Sequence, residues 1–379
     1  MRLLFWFSLV FIIYTYAGYP CLLWIWSRLF PKKVSKAIPT ALPLVSIIIA
    51  AHNEEKNIQA RLENLIEQNY PSNKLEIIVA SDGSTDATCN IVSRFIEHHP
   101  APPSIYLIEI QENRGKPHAL NMAAQKARGQ YLVFTDARQK FESNAVRELI
   151  GNFSDPAVGC VSGELVFYED SDTNIKAEMG FYWNLEKKIR NMEGLISSVA
   201  GATGAIYAIR KDLFHPIPES TLLDDVYVPM KIVLNGYRTV FDGKAIAYDI
   251  VSKDLAQEKR RKVRTLLGNY QLLKLMPELF SWRRNPIFFQ FFSHKVFRLF
   301  VPFFFFAMLF SSAVAPGAIY KLGLFVCLMI LILPFANGLL KPIPIVGKIS
   351  TMARTFVSLN YFAFLAFLYL LKPGRKEVW

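Results

Sequence analysis

Charge-free stretches stand near both ends of the chain, with an alternation of short apolar runs and amphipathic segments between them. Leu3 to Ser27 carries no charge, which is long enough to cross a hydrocarbon core of about 30 Å. Leu299–Tyr320, Leu322–Leu340 and Thr355–Leu371 are also uncharged and predict three more spans, the first two joined by a turn near Pro316-Gly317. Between the ends, VSIIIA (45–50), EIIVA (76–80), Ser104–Ile110 and YLVF (131–134) read as buried strands. Ile58–Ile66, Asp86 to about His98, and Pro117–Lys126 carry helical spacing between them. Leu266–Phe280 with Trp282 predicts an amphipathic helix at an interface. The resulting division is an anchor at 1–28, a domain at 41–284 and a C-terminal apolar region of about three spans at 296–372.

Strands alternating with crossover helices make an α/β domain with a mostly parallel, Rossmann-like sheet. Such sheets bind ligands at the carboxyl ends of their strands. Asn53-Glu54 follows the first strand, Asp82 the second and Asp136 the fourth. The first turn is AAHNEE, so a dinucleotide-binding Gly-x-Gly-x-x-Gly is absent, and so is a P-loop. Dehydrogenase and ATPase chemistry are excluded on that ground.

Charge adds orientation. Arg28, Lys32, Lys33 and Lys36 follow the first span, while Arg283, Arg284, Lys295 and Arg298 precede the second. This bias predicts a cytoplasmic domain with the N-terminus outside, in an inner (cell) membrane. The same count sends Lys372, Arg375 and Lys376 outside, against the rule. The segment 3–27 lacks a small-residue cleavage site before Arg28, so it predicts a retained anchor rather than a signal peptide. The net charge of +12 is spread over span flanks, a pattern for phospholipid headgroups and not for nucleic acid. Four cysteines without paired spacing predict neither a zinc site nor a disulfide framework, and six histidines show no ligand spacing.

Six short motifs then occur in order. VSIIIAAHNEEKNI, VASDGSTDAT, ENRGKPHALN, FTDAR, LLDDVYVPMKIVLNGYR and QEKRR together resemble the membrane-bound family 2 glycosyltransferases of the GT-A fold, over about Leu44 to Tyr270. The resemblance implies an inverting transfer from a nucleoside-diphosphate sugar. Asn53, Glu54, Asp82 and Lys116 would lie around the nucleotide, with Asp82 accepting from a uracil N–H. A helix N-cap at SDGSTD is the alternative for Asp82. Asp136 would hold the ribose or a Mg²⁺ or Mn²⁺ on the diphosphate. The second acid of the family's Asp-x-Asp is replaced by Arg138, which either faces the diphosphate itself or pairs elsewhere.

Asp225 is the expected general base, with Asp224 beside it as a like charge that raises the pKa of one of the two when both are buried. A helix-capping pair is the alternative. Gln257, Arg260, Arg261 and Arg264 fall on one helix face and would clamp the leaving diphosphate, or lie on anionic lipid. Arg261 stands where the family has an aromatic residue. FYWNLEKKIR and GATGAIYAIR resemble the acceptor side of membrane-bound members, with Trp183 either stacking on a sugar or buried in the core.

The layout resembles small polysaccharide synthases of the chitin-oligosaccharide and hyaluronan type, which implies a UDP-sugar donor and a β-linked extracellular or envelope glycan. A single-addition glycolipid synthase of the ceramide-glucosyltransferase kind is the alternative, and a non-catalytic nucleotide-binding relative is a third. The expected partners are the donor, a glycan or lipid acceptor and membrane lipids; oligomeric state is left open.

Overall fold

The structure, a computed structural model, describes residues 1–168, 176–250, 255–340 and 343–371; the side chains of residues 176–182, 255–257 and 344 lie outside the described set. Its centre is one eight-stranded mixed sheet: β1 (Val45–Ala51), β2 (Leu75–Asp82), β3 (Ser104–Ile110), β4 (Tyr131–Asp136), β5 (Lys140–Phe141), β6 (Val158–Tyr168), β7 (Tyr207–Arg210) and β8 (Arg238–Ile250), in the order β3-β2-β1-β4-β7-β6-β8-β5. The first four strands run parallel, in the register Ile47↔Ile77 and Ile47↔Val133. Beyond β4 the direction reverses: β7 is antiparallel to both β4 and β6, while β6 and β8 pair in parallel with two irregularities.

The parallel half is buried on both faces, as its near-continuous Val and Ile runs require. Ile47 and Ile49 enter one core with Leu62 and Leu65 of α3 (Ile58–Ile66) and with Phe95 of α4 (Thr88–His98). Ile48 and Ile78 enter the other with Ala119 and Leu120 of α5 (Lys116–Lys126). The first core continues through α6 (Ala145–Gly151). The second continues through α8 (Asp224–Leu234) and out to Leu272 of α9 (Leu255–Leu275) and Phe291 of α10 (Phe288–Phe291). One core therefore joins the sheet to the apolar helices. Basic QEKRR and the expected interface helix from Leu266 share one helix, α9, which ends at Leu275 rather than Phe280; a 3-10 turn at Pro277–Phe280 follows.

Among the described residues, three helices are long and apolar enough to cross a membrane: Arg2–Leu29, Phe288–Val314 and Ile345–Leu371. The first comprises α1 (Arg2–Ile13) and α2 (Tyr19–Leu29), joined by a π-helical turn at Tyr14–Gly18. The second comprises α10 and α11 (Phe297–Val314), joined by another at Phe292–Val296. The third is most of α14 (Pro344–Leu371), and another long helix, α7 (Lys176–Ile196), packs on α2 with Ile189 and Ile196 against Tyr19 and Leu23.

The expected span at Leu322–Leu340 is corrected. Helix α12 (Ala318–Ile332) has 15 residues, about 22 Å, and gives way before the short α13 (Asn337–Leu340). That length falls short of a hydrocarbon core. The end of α14 packs against α9, with Phe367 6.3 Å from Tyr270 and Lys259 over the Tyr361 ring at 5.6 Å. Tyr270 also donates to the Leu299 carbonyl at the start of α11. The end of α14 thus lies against α9 of the sheet domain; the basic residues Lys372, Arg375 and Lys376 lie outside the described residues.

Candidate functional site

Two clusters form at the carboxyl ends of the parallel strands, bridged by the turn Arg114-Gly115-Lys116. The first surrounds Asp82. Its carboxylate is buried and accepts from two backbone amides, Arg114 N at 2.9 Å and Gly115 N at 2.7 Å. It is not bonded to the opening of the following helix; Asp86, just ahead of that helix, accepts from Thr88 N at 3.0 Å. Asn53 adopts φ 55°, and its Oδ1 accepts from Thr85 N at 2.8 Å. His52 Nδ1 lies 2.7 Å from the Asp82 carbonyl, so the ends of β1 and β2 are cross-tied. Glu54 turns away and accepts from Asn57 Nδ2 at 2.7 Å. Bonds from Asn53 N to Ser84 Oγ and from Ser81 Oγ to Ser84 Oγ complete a polar rim.

The second cluster carries the charge. Lys116, the first residue of α5, places its ammonium 2.7 Å from Asp136 Oδ1 at the end of β4 and 3.6 Å from Asp224 Oδ2 at the start of α8. Burial works to lower the Lys116 pKa, but Asp136 and Asp224 outweigh it and hold the ammonium above its usual value. Asp224 is buried, and its Oδ2 has no hydrogen-bond partner among the described residues. Beside it, Asp225 is pushed up to about 6 by burial and by the Asp224 charge. Neither aspartate makes a side-chain cap bond to α8, though both sit in its first turn where the helix dipole favours negative charge. The loop 201–204 closes over Asp225: Ala202 N donates to its carbonyl at 2.7 Å. Gly204 lies close under the carboxylate: a Cβ there would stand 3.1 Å from Asp225 Oδ2, so a side chain would make the carboxylate give by a few tenths of an ångström.

Arg138 is committed elsewhere. Its Nη2 lies 2.6 Å from Asp249 Oδ2 on β8, and Gln139 Nε2 donates to the same oxygen at 3.0 Å. Trp183 of α7 donates from Nε1 to the Leu165 carbonyl at 3.1 Å and stands edge-on to Phe167, 5.4 Å away. Arg260 and Arg261 lie on the exposed face of α9; Arg261 pairs with Glu258 at 2.8 Å and lies 6.0 Å over Phe167. The side chain of Gln257 lies outside the described residues.

Asp136, Lys116, Asp224 and Asp225 are therefore brought together, and Asn53 and Asp82 form the adjoining rim. Glu54, Arg138 and Trp183 are engaged with neighbours. Sequence reasoning missed Asp249 as the partner of Arg138. It also missed a buried group at the foot of α7, where His294 Nδ1 lies 2.9 Å from Glu193 Oε1 and His294 Nε2 lies 2.9 Å from Glu186 Oε1. The available signal was the placing of His294, Lys295 and Arg298 inside an apolar helix, where ionisable residues need partners.

Among the described residues, no group of three or more His, Cys, Asp or Glu side chains could hold a metal ion. Asp136 is 40% exposed and offers one hard carboxylate. That suits Mg²⁺ or Mn²⁺ once the phosphate oxygens of a bound nucleotide supply further ligands.

Comparison with known proteins adds the following. Residues 46–217 match the family described as Glycosyl transferase family 2, and residues 133–341 match Glycosyl transferase family group 2, which covers more than half of the chain. "Probable glycosyltransferase YdaM" of Bacillus subtilis (strain 168) is 28% identical over 75% of this chain and 67% of its own length. The poly-beta-1,6-N-acetyl-D-glucosamine synthase of Staphylococcus aureus (strain COL) is 27% identical over 60% of this chain; the chain spans 55%, about half, of that relative. Among solved structures, a mannosyltransferase from Pyrobaculum calidifontis, in complex with GDP-Man and Mn²⁺, superposes with a TM-score of 0.75 at 25% identity. That match covers 98% of this chain and 100% of the other.

Proposed function

This chain belongs to the family 2 glycosyltransferases, and from that premise we propose that it builds a β-linked extracellular or envelope polysaccharide from a nucleoside-diphosphate sugar, with a UDP-sugar as first choice. The observation that carries the reading is the meeting of Asp136, Lys116 and Asp224 at the strand ends with Asp225 beside them. In this assignment residues 41–284 are the cytoplasmic catalytic unit, between an anchor at 1–28 and a membrane region at 296–372.

The rim of Asn53 and Asp82 receives the nucleoside, and the fixed Arg114-Gly115 amides hold that carboxylate in place. The diphosphate then lies by Lys116, whose ammonium balances its charge. A divalent cation held by Asp136 and the phosphate oxygens would supply Lewis-acid stabilisation of the leaving group. Asp225 accepts the proton of the acceptor hydroxyl while that oxygen bonds to the anomeric carbon and the bond to the diphosphate breaks. A base with a pKa near 6 is ionised at neutral pH and still basic enough to assist, which suits this task. Arg260 and Arg261 on α9 approach the departing diphosphate.

A second reading is single addition of a sugar to a lipid acceptor: the solved structure matched along its whole length is a mannosyltransferase whose name specifies no polymer, whereas the polysaccharide synthase is matched over only 55% of its length. One experiment separates the two. The lipid-reconstituted protein is incubated with a panel of UDP- and GDP-sugars, with and without Mg²⁺ or Mn²⁺, and nucleoside diphosphate release and product size are followed. A polymer ladder that vanishes in Asp225→Asn supports the synthase, and one organic-soluble product supports the glycolipid. No release from any donor that binds would overturn both.

A further inference from the structure

A line of buried polar groups runs from the apolar helices to the loop around Asp225. It begins at Tyr19 of α2, whose hydroxyl donates to Glu193 Oε1 of α7 at 2.5 Å. His294 reaches the same oxygen from the π-helical turn between α10 and α11, and its other nitrogen faces Glu186. Arg298 of α11 donates to Glu186 Oε2 at 3.0 Å. Arg190, one turn along α7, has Nε 3.6 Å from Glu186 Oε1 and donates from Nη1 to Thr203 Oγ1 at 2.6 Å. Thr203 belongs to the loop 201–204 that packs on Asp225.

Two further features point the same way. The π-helical turns at Tyr14–Gly18 and Phe292–Val296 meet each other, with Tyr14 Oη 2.7 Å from Ser293 Oγ. Each inserts an extra residue into its helix and so re-aims the side chains that follow, a device frequent at functional sites. Gln290 Nε2 donates to the Ser198 carbonyl at 3.0 Å, holding the chain just ahead of that loop.

We propose that Arg190 is a positioning residue for the catalytic base, tying Thr203 and its loop to a polar strap shared with the membrane helices through Glu186 and His294. The proposal rests on the assignment of Asp225 as base. Stability alone does not explain the strap. Glu193 and His294 are almost fully buried, and desolvating such charges costs so much that apolar packing would hold the helices at least as well. What a charged strap adds is a fixed geometry, together with a cation placed near the base. Burial and Asp224 raise Asp225, while the charges of Lys116, Lys295 and Arg190 pull it back.

The test uses the full chain in lipid, comparing Arg190→Gln, Arg190→Lys, Thr203→Val and Asp225→Asn by transfer kinetics across pH, with nucleotide binding as the check on folding. Arg190→Gln is expected to lower kcat about tenfold to a hundredfold with the donor KM unchanged, as a small misplacement of a reacting group does. It should also move the acid limb of the profile to higher pH, because a cation that favoured the ionised base has gone. Thr203→Val should lower kcat and leave the limb in place, and Arg190→Lys should keep the limb because it keeps the charge. Wild-type kcat and limb in Arg190→Gln would overturn the proposal. So would a fall in kcat matched by lost nucleotide binding with the limb unmoved, the result of a purely structural role. If Asp225→Asn retains transfer, the base assignment itself fails; if it is inactive while Arg190→Gln is unaffected, only the strap fails.

Discussion

A carboxyl can take a proton only after losing its own, and Asp225 does so at about 6 because it is buried beside Asp224. In the proposed role the ionised form is active. The free-enzyme profile, kcat/KM against pH, should therefore climb through a limb near 6 and level off above it; activity that is flat down to pH 4, about two units below, would contradict the assignment. Asp225→Asn removes the base while keeping the shape, and transfer should fall by about 10²–10⁴-fold with nucleotide binding intact, measured by nucleoside diphosphate release. Arg138 belongs to a different account. Its guanidinium neutralises Asp249, whose carboxylate is 1% exposed, so Arg138→Met strands a buried charge. A loss of about 1.5–3 kcal/mol in denaturant unfolding is expected, against little change in nucleotide affinity. A large loss of affinity with normal stability would restore Arg138 to the diphosphate.

Among the elements, α9 is the one whose placement decides the most. It crosses under the start of α8, and Gly268 makes the crossing possible: a Cβ there would stand 2.5 Å from Leu223 Cγ, next to the acidic pair. Gly268→Ala must push Leu223 or the helix aside, at about 1–3 kcal/mol, and should depress kcat more than donor affinity in the transfer assay. The parallel half of the domain was legible in the sequence, with Ile58–Ile66 and Ser104–Ile110 bounded as their periodicity predicts, because a local pattern decides each element. The reversed half was not. Strands β6, β7 and β8 pair across long loops, and their order is a matter of tertiary contact that no local spacing records. The same holds within the site. Asp136, Asp224 and Lys116 could be placed from motifs at strand ends, whereas Asp249 and Glu193 find Arg138 and His294 at separations of 111 and 101 residues. Helix α12 misled for a third reason: an uncharged stretch fixes an environment, but a break in the helix after Ile332 fixes its length.

For the molecule as a whole, the three long apolar helices, as proposed spans, set which surface would meet which compartment. With the end of α14 beside α9, a cysteine introduced as Leu371→Cys in sealed vesicles should react with an impermeant reagent from the same side as the sheet domain. One introduced as Met1→Cys should react from the other side, because a single span of 28 residues separates it from that domain. Labelling of both from one side would refute this arrangement. The strap between Tyr19, Glu193 and His294 also has a consequence in time. The ribosome delivers the first span early, the base next and His294 only after the rest of the domain has emerged, so the strap can close only when the second span is in place. A nascent chain that has not yet reached Phe288 would hold every acid of the site yet lack His294 and Arg298, so on the proposed strap Glu186 and Arg190 would be unbraced until the second long apolar helix has been made.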